Sequence, residues 1–123
     1  MIKVGLIGCG FMGGMHSACY AALASLGVKV TAVADVRPEF AQKLAGDAEI
    51  YATGMELIEK ADVDVVDICL PTYLHTSHAV AAMKAGKNVF VEKPICISEE
   101  EMELLLKTET KELCWLSKYS FTK

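Results

Sequence analysis

Three glycines and one aspartate near the start of the chain have the spacing of a dinucleotide site. Gly8, Gly10 and Gly13 form a G-x-G-x-x-G pattern, and Asp35 follows Gly13 by 22 residues. The first glycine of such a pattern permits a tight turn, the second lets a pyrophosphate approach the backbone, and the third lets a helix pack closely on a strand. A later acidic residue accepts hydrogen bonds from the adenosine ribose and repels a 2′-phosphate. The pattern predicts NAD in preference to NADP.

Arg37, two residues after Asp35, has two interpretations. Its guanidinium could reach the 2′-phosphate of NADP, which would weaken the prediction of NAD. Alternatively, it is a solvated arginine at the start of a helix, and this second interpretation is favoured. NADP is therefore the less expected cofactor.

The glycine pattern needs a strand before it and a helix after it, and the chain supplies both. Apolar runs alternate with helical patterns, which predicts an α/β domain with a doubly wound, Rossmann-type parallel sheet. The predicted strands are 2–7, 28–34, 50–51, 63–70 and 88–91, and the predicted helices are 12–26, 38–46, 54–60, 76–85 and one from 98 onward. Strand, glycines, helix, strand and acidic residue thus occur in order, which makes a purely structural glycine turn the weaker interpretation.

Four motifs together resemble the N-terminal half of the Gfo/Idh/MocA oxidoreductase family. They are GLIGCGFMGGMH, VADVRPE, ICLPTYLHTSHA and NVFVEKPICIS, in the family's order over residues 1 to about 108. The resemblance implies an NAD(P)-dependent dehydrogenase that transfers a hydride from the CH–OH group of a sugar, polyol or related small molecule. The alternative hypothesis is a stand-alone regulatory module that senses NAD without catalysis.

The resemblance also assigns expected roles to individual residues. The residues expected at the cofactor, from the resemblance or from the glycine pattern, are Gly8, Gly10, Phe11, Met12, Gly13, Asp35, Arg37, Leu70, Pro71, Thr72, His75, Glu92, Lys93 and Pro94. In the family's E-K-P motif the glutamate lies near the nicotinamide ribose and the lysine reaches the reacting substrate oxygen. Lys93 is thus the expected catalytic residue, because a cation stabilises negative charge that develops on that oxygen.

The histidines carry weaker expectations. His75 matches the family's P-T-x-x-H turn, but a hydrogen bond to local backbone would also explain it. His16 and His78 are expected to be helix residues with structural roles. Cys9 is expected to be an inert small side chain.

Composition excludes several other classes of function. Sixteen acidic and twelve basic residues give a net charge of −4, which argues against binding to nucleic acid or to an anionic membrane surface. No apolar run approaches the roughly 20 residues that cross a bilayer. The five cysteines include no CxxC pair, so no disulfide framework and no metal site are predicted, and the expected location is the cytoplasm.

The end of the chain departs from the resemblance. Residues 1–108 are the predicted dinucleotide-binding domain, residues 109–123 are interpreted as an atypical tail, and the second domain of the family is expected to be absent. The chain is interpreted as a domain fragment or a truncated or frameshifted product, inactive by itself. Apolar residues in the tail predict that 112–121 either add an edge strand to the sheet or pair with a second copy, giving a homodimer.

Overall fold

A computed structural model of the chain describes residues 1–92 and 96–109, together with the backbone of 115–117. Within this part of the chain the strands are β1 (Ile2–Ile7), β2 (Val28–Ala34), β3 (Glu49–Tyr51), β4 (Val65–Ile68), β5 (Asn88–Val91) and β6 (Trp115–Ser117). The α-helices are α1 (Phe11–Ala22), α2 (Pro38–Ala45), α3 (Gly54–Lys60), α4 (His75–Lys84) and α5 (Glu99–Thr108). Strands and helices alternate as predicted.

The strands form one parallel sheet in the order β3-β2-β1-β4-β5-β6. This is the strand order of the doubly wound Rossmann fold, in which the chain reverses its direction of winding between β1 and β4. Ligands of such sheets bind in the crevice outside the carboxyl ends of the strands at this reversal. The predicted fold class is confirmed, and the segments that follow β1, β2 and β4 meet at one edge of the sheet.

Each face of the sheet has its own hydrophobic core. On one face, α3, α4 and α5 cover aliphatic side chains, and Leu57 and Leu105 are fully buried there. On the other face, α2 covers a smaller core that includes Leu6 and Val33. Burial on both faces explains why the strands read as continuous apolar runs rather than as alternating patterns.

One polar side chain interrupts the second face. Asp67 on β4 is the register neighbour of Leu6 on β1 and Phe90 on β5, so all three side chains lie on the same side of the sheet. This carboxylate is completely buried beneath α1. A buried charge requires hydrogen-bonding partners, and His16 and Tyr20 on α1 supply them.

Two elements are shorter than the sequence predicts. The first helix ends at Ala22 and is followed by a 3₁₀ turn, Ala24–Leu26, before Gly27 adopts a left-handed conformation with φ of 84°. The fourth strand spans only Val65–Ile68, because the chain turns out of the sheet toward Pro71, which has no N–H group to donate. This early exit opens the edge of the sheet at the predicted site.

Part of the tail forms an edge strand. Residues 115–117 pair in parallel with β5, which is the first of the two predicted alternatives for this segment. Lys93, Pro94 and the tail positions 110–114 and 118–123 lie outside the described residues. Pairing with a second copy stays a prediction.

No helix in the described ranges is long and apolar enough to cross a membrane.

Candidate functional site

The three glycines of the motif occupy three different environments at the end of β1. Gly8 has φ of 95°, and a Cβ atom there would lie 2.5 Å from the carbonyl oxygen of Cys69. A Cβ on Gly13 would lie 1.9 Å from the carbonyl oxygen of Gly8, so only glycine lets α1 approach the turn. At Gly10, by contrast, a Cβ would meet only the Arg37 guanidinium, at 3.4 Å. The first and third glycines therefore fix the turn, and the second leaves the backbone approachable.

The amino terminus of α1 carries no competing acid. Gly10 caps the helix without a side-chain hydrogen bond, and the first turn contains no acidic residue. The first turns of α2, α3 and α5 do contain acidic residues, among them Glu39, Glu56 and Glu99. The N–H groups and partial positive charge at the start of α1 are thus left for an external anion, which fits a pyrophosphate.

Asp35 follows β2 and is held by several N–H donors. Its Oδ2 accepts a hydrogen bond of 2.8 Å from the Cys9 backbone N–H, and its Oδ1 accepts one of 2.8 Å from the Arg37 backbone N–H. Burial acts to raise the pKa of Asp35, but hydrogen bonds from the Arg37 side chain and then from these two backbone groups outweigh it and lower the pKa. The carboxylate is only 8% exposed and stays ionised, as an acceptor for ribose hydroxyls must.

Neither earlier interpretation of Arg37 describes its side chain fully. The guanidinium forms a two-point ion pair with Asp35, with Nε–Oδ1 and Nη2–Oδ2 distances of 3.0 Å each. The Cζ atom of the guanidinium also lies 3.8 Å from the centre of the Phe40 ring. Although the side chain is half exposed, Arg37 is a partner of the proposed ribose acceptor rather than a simply solvated arginine. An adenosine ribose would have to share Asp35 with this cation.

Five of the predicted cofactor residues line one cleft of about 420 Å³ at the carboxyl edge of the sheet. They are Gly8, Asp35, Arg37, Leu70 and Pro71. Gly10 and Phe11 line the adjoining groove between α1 and α2. The strands bring these residues together from three separate segments, as expected for the carboxyl ends of β1, β2 and β4.

Other predicted residues do not line this cleft. His75 is buried, and its Nε2 lies 2.7 Å from the Leu70 carbonyl oxygen, as the local-backbone interpretation predicts. Thr72 lies in the 3₁₀ turn before α4. Met12 and Glu92 lie on the other side of α1, where Met12 contributes to an apolar pocket with Phe90. The catalytic role of Lys93 stays a prediction.

A buried polar cluster lies beneath α1, and the sequence did not predict it. His16 Nδ1 is 2.7 Å from Asp67 Oδ2, and His16 Nε2 is 2.8 Å from Glu92 Oε1. The Tyr20 hydroxyl donates a 2.6 Å hydrogen bond to Asp67 Oδ2, and the Cys69 thiol lies 3.5 Å from Asp67 Oδ1. His16 and Tyr20 are four residues apart on one helix face, which brings both over β4.

This cluster raises the pKa of His16. The largest cause is the hydrogen bond to Asp67; burial opposes it, and the charge of Asp67 and the bond to Glu92 add to it. His16, which was expected to be merely structural, thus favours its cationic form between two carboxyl groups. The signal available in the sequence was Asp67, a charged residue between apolar neighbours within the β-branched run 63–70, because a buried carboxylate needs a partner.

Three atoms of the same cluster also have a spacing that a cation could bridge. His16 Nδ1, an Asp67 oxygen and Cys69 Sγ all lie within 4.8 Å of one another. Burial, followed by the charge of Asp67, raises the pKa of Cys69. Metal binding would require the thiolate, so the chemistry of this donor set favours the hydrogen-bonded arrangement over a metal centre.

Comparison with sequence families agrees with the fold. The profile of the Gfo/Idh/MocA oxidoreductases, described as an NAD-binding Rossmann fold, matches residues 2–119. Levoglucosan dehydrogenase of Pseudarthrobacter phenanthrenivorans is 37% identical over an alignment of 114 positions, which covers 85% of this chain and 29% of that enzyme. Inositol 2-dehydrogenase of Azotobacter vinelandii is also 37% identical, over 89% of this chain and 33% of the enzyme. The chain thus spans about a third of such relatives.

Solved structures have the same architecture. The scyllo-inositol dehydrogenase of Lactobacillus casei, with bound NAD(H) and scyllo-inositol, superposes with a TM-score of 0.83 at 28% identity, over 96% of this chain and 36% of that one. The myo-inositol dehydrogenase of the same organism, in complex with NAD(H) and myo-inositol, gives a TM-score of 0.83 at 25% identity, with the same coverage.

Proposed function

The chain belongs to the Gfo/Idh/MocA oxidoreductase family as its NAD-binding Rossmann domain, and we propose that it binds NAD in preference to NADP and forms the cofactor half of a dehydrogenase for sugars or polyols. The observation that carries the proposal is the ionised, almost buried Asp35 beside the glycine turn. When bound, NAD supplies the acceptor for a hydride from a CH–OH group.

The chain's own residues have separate tasks in this proposal. The start of α1 binds the pyrophosphate, and Asp35 binds the adenosine ribose. Leu70 and Pro71 form the apolar wall of the cleft on the β4 side. By family resemblance, Glu92 orients the nicotinamide ribose, and Lys93 stabilises the charge that develops on the substrate oxygen.

Calorimetric titration of the chain with NADH and with NADPH tests the cofactor preference. We expect tighter binding of NADH, because an ionised carboxylate repels a 2′-phosphate. Asp47→Ser, which removes an exposed carboxylate far along the chain, is the matched control and should leave both affinities unchanged. Equal or tighter binding of NADPH would overturn the preference.

We propose further that turnover requires residues beyond these 123, since the relatives are about three times as long. The isolated chain should then reduce no NAD above background with inositol or glucose. In a longer protein that carries a second domain, Lys93→Ala should lower kcat by roughly 100-fold, the scale of one general acid or electrostatic group. Turnover by the isolated chain would refute this division of labour.

The tail is proposed to mediate self-association, because β6 is the last strand of the sheet and its outer edge has no strand beside it among the described residues. Unpaired strand edges recruit other strands. A chain cut after residue 109 should be monomeric and should still bind NADH, whereas the full chain should dimerise. Analytical ultracentrifugation of both chains tests this, and a strictly monomeric full chain would contradict it.

A further inference from the structure

Two carboxylates converge on the imidazole ring of His16 from different strands. Asp67 reaches it from the middle of the sheet and is 0% exposed, whereas Glu92 reaches it from the segment just after β5. The side chains of His16 and Glu92 are each 13% exposed. The described titratable groups around this ring are Tyr20 on α1, which bonds Asp67, Asp67 on β4, Cys69 just after β4 and Glu92 just after β5.

The hydrogen bonds on Asp67 determine where the first ring proton sits. The Tyr20 hydroxyl and the Cys69 thiol both donate to this carboxylate, which accepts at both oxygens. Since an ionised carboxylate only accepts, the His16 Nδ1 beside it must carry a hydrogen. A neutral ring with hydrogen on Nδ1 would then present its Nε2 lone pair to Glu92.

Only the imidazolium satisfies both contacts when Glu92 is ionised. It donates from Nδ1 to Asp67 and from Nε2 to Glu92. The ring cannot follow Glu92 elsewhere, because it packs edge-on against Phe90 with centroids 5.6 Å apart and an interplanar angle of 80°. Asp67 and Phe90 therefore fix the ring, and the ring fixes Glu92.

We propose that His16 is a positioning residue which, as an imidazolium anchored on Asp67, holds the Glu92 carboxylate at the cofactor edge of the sheet. The inference rests on the proposed function, in which Glu92 lies at the nicotinamide ribose. Loss of the ring proton at Nε2 would turn the contact with Glu92 from attractive to repulsive. Cofactor affinity is then linked to the protonation of a residue that does not itself touch the cofactor.

A double-mutant cycle on the full chain tests the positioning role. His16→Asn keeps an amide near the place of Nδ1 but cannot reach Glu92, whereas His16→Gln places an amide near Nε2. At pH 7, His16→Asn and Glu92→Ala should each raise the Kd for NADH about tenfold, the scale of one hydrogen bond to a charged group. The double variant should be no weaker than Glu92→Ala, and His16→Gln should recover most of the loss. Glu103→Ala on α5 is the carboxylate control.

Dependence on pH separates positioning from a merely structural role. The contribution of the imidazolium is complete below pH 6.5 and is lost as the pH rises through its raised pKa, so the Kd for NADH should increase between pH 6 and pH 9. His16→Gln and Glu92→Ala should both be flat over this range. If His16→Asn does not fold by circular dichroism, the His16→Gln variant and these profiles still decide the matter.

The outcomes distinguish this inference from the proposed function. A wild-type chain that binds no NADH overturns the proposed function. In that case, NMR titration of the His16 ring in the wild type and in the Glu92→Gln variant still decides whether the ring holds Glu92. NADH binding with additive effects of positions 16 and 92, or with an unchanged pH profile in His16→Gln, overturns the positioning role alone.

Discussion

Asp35 and Asp67 lie on either side of β1, and the two carboxylates are neutralised in opposite ways. Asp35 pairs with Arg37, two residues later, at an edge where the guanidinium is half exposed. Asp67 pairs with His16, 51 residues earlier, and is completely buried. One anion has a permanently charged local partner, and the other has a titratable distant one.

Because of this difference, one edge of the sheet combines a region that should respond to ligands with a region that should respond to pH. Arg37 keeps its charge throughout the physiological range, so the Asp35 region should respond to competing ligands rather than to pH. The pKa of His16 is raised, chiefly by its hydrogen bond to Asp67, and a histidine is titratable, so its cluster should respond to pH. Water screens the exposed Arg37 pair, whereas the buried His16 cluster is sensitive to the loss of either partner.

Gly13→Ala should disturb both regions at once and give the largest effect. A Cβ there would meet the Gly8 carbonyl oxygen at 1.9 Å, so α1, which carries His16, must move away from the turn that holds Asp35 through Cys9. We expect a loss of about 3 kcal/mol in the free energy of unfolding, measured in urea.

The matched control for that substitution is Gly14→Ala, the next position in α1. A Cβ there would meet nothing within 4 Å, so alanine should stabilise the helix by up to about 1 kcal/mol. Equal stabilities for the two variants would show that the close approach of α1 to the turn is not required.

Asp67→Asn should affect the His16 region alone. The imidazolium would lose its anionic partner inside the protein, and we expect a loss of about 2 kcal/mol in unfolding free energy. Asp47→Asn removes an exposed carboxylate paired with Lys29 and should leave the urea midpoint essentially unchanged. If Asp67→Asn were equally neutral, the buried cluster would not contribute to stability.

Asp35→Ser should affect the Arg37 region alone. The serine removes the repulsion of a 2′-phosphate and frees the guanidinium, so the preference for NADH over NADPH should fall by about tenfold. Titration of both cofactors into the variant measures the change. A retained preference would place the discrimination at another residue.

The smallest predicted effect is a difference in how stability depends on pH. His16 has a raised pKa in the folded chain, so its stabilising contribution is complete below pH 6.5 and is lost as the pH rises through the raised value. Asp35 has a lowered pKa, so its contribution is lost only as the pH falls below 3.8. The urea midpoint should therefore decrease between pH 6.5 and pH 9 by more in the wild type than in His16→Gln. The Arg37→Ala variant should show the same decrease as the wild type.

Local patterns predicted the architecture and the cofactor edge. Apolar runs, glycine stops and the G-x-G-x-x-G spacing depend on neighbours within a few residues, and they predicted Gly8 in the tight turn and Gly13 where α1 packs against that turn, as the structure has them. The ion pair of Arg37 with Asp35 was missed, although its partners are close in sequence, because side-chain direction after a strand depends on the surrounding loop.

The sequence by itself determined a parallel α/β fold, its glycine turn and the acidic residue after β2, since each follows from short-range periodicity and backbone stereochemistry. Only the tertiary structure decided the roles of His16, Asp67 and Glu92. Their pairing spans 51 and 76 residues and exists because β4 and β5 lie side by side beneath α1. Strand order converts three separated polar residues into one buried cluster, and no local pattern encodes which side chains meet across it.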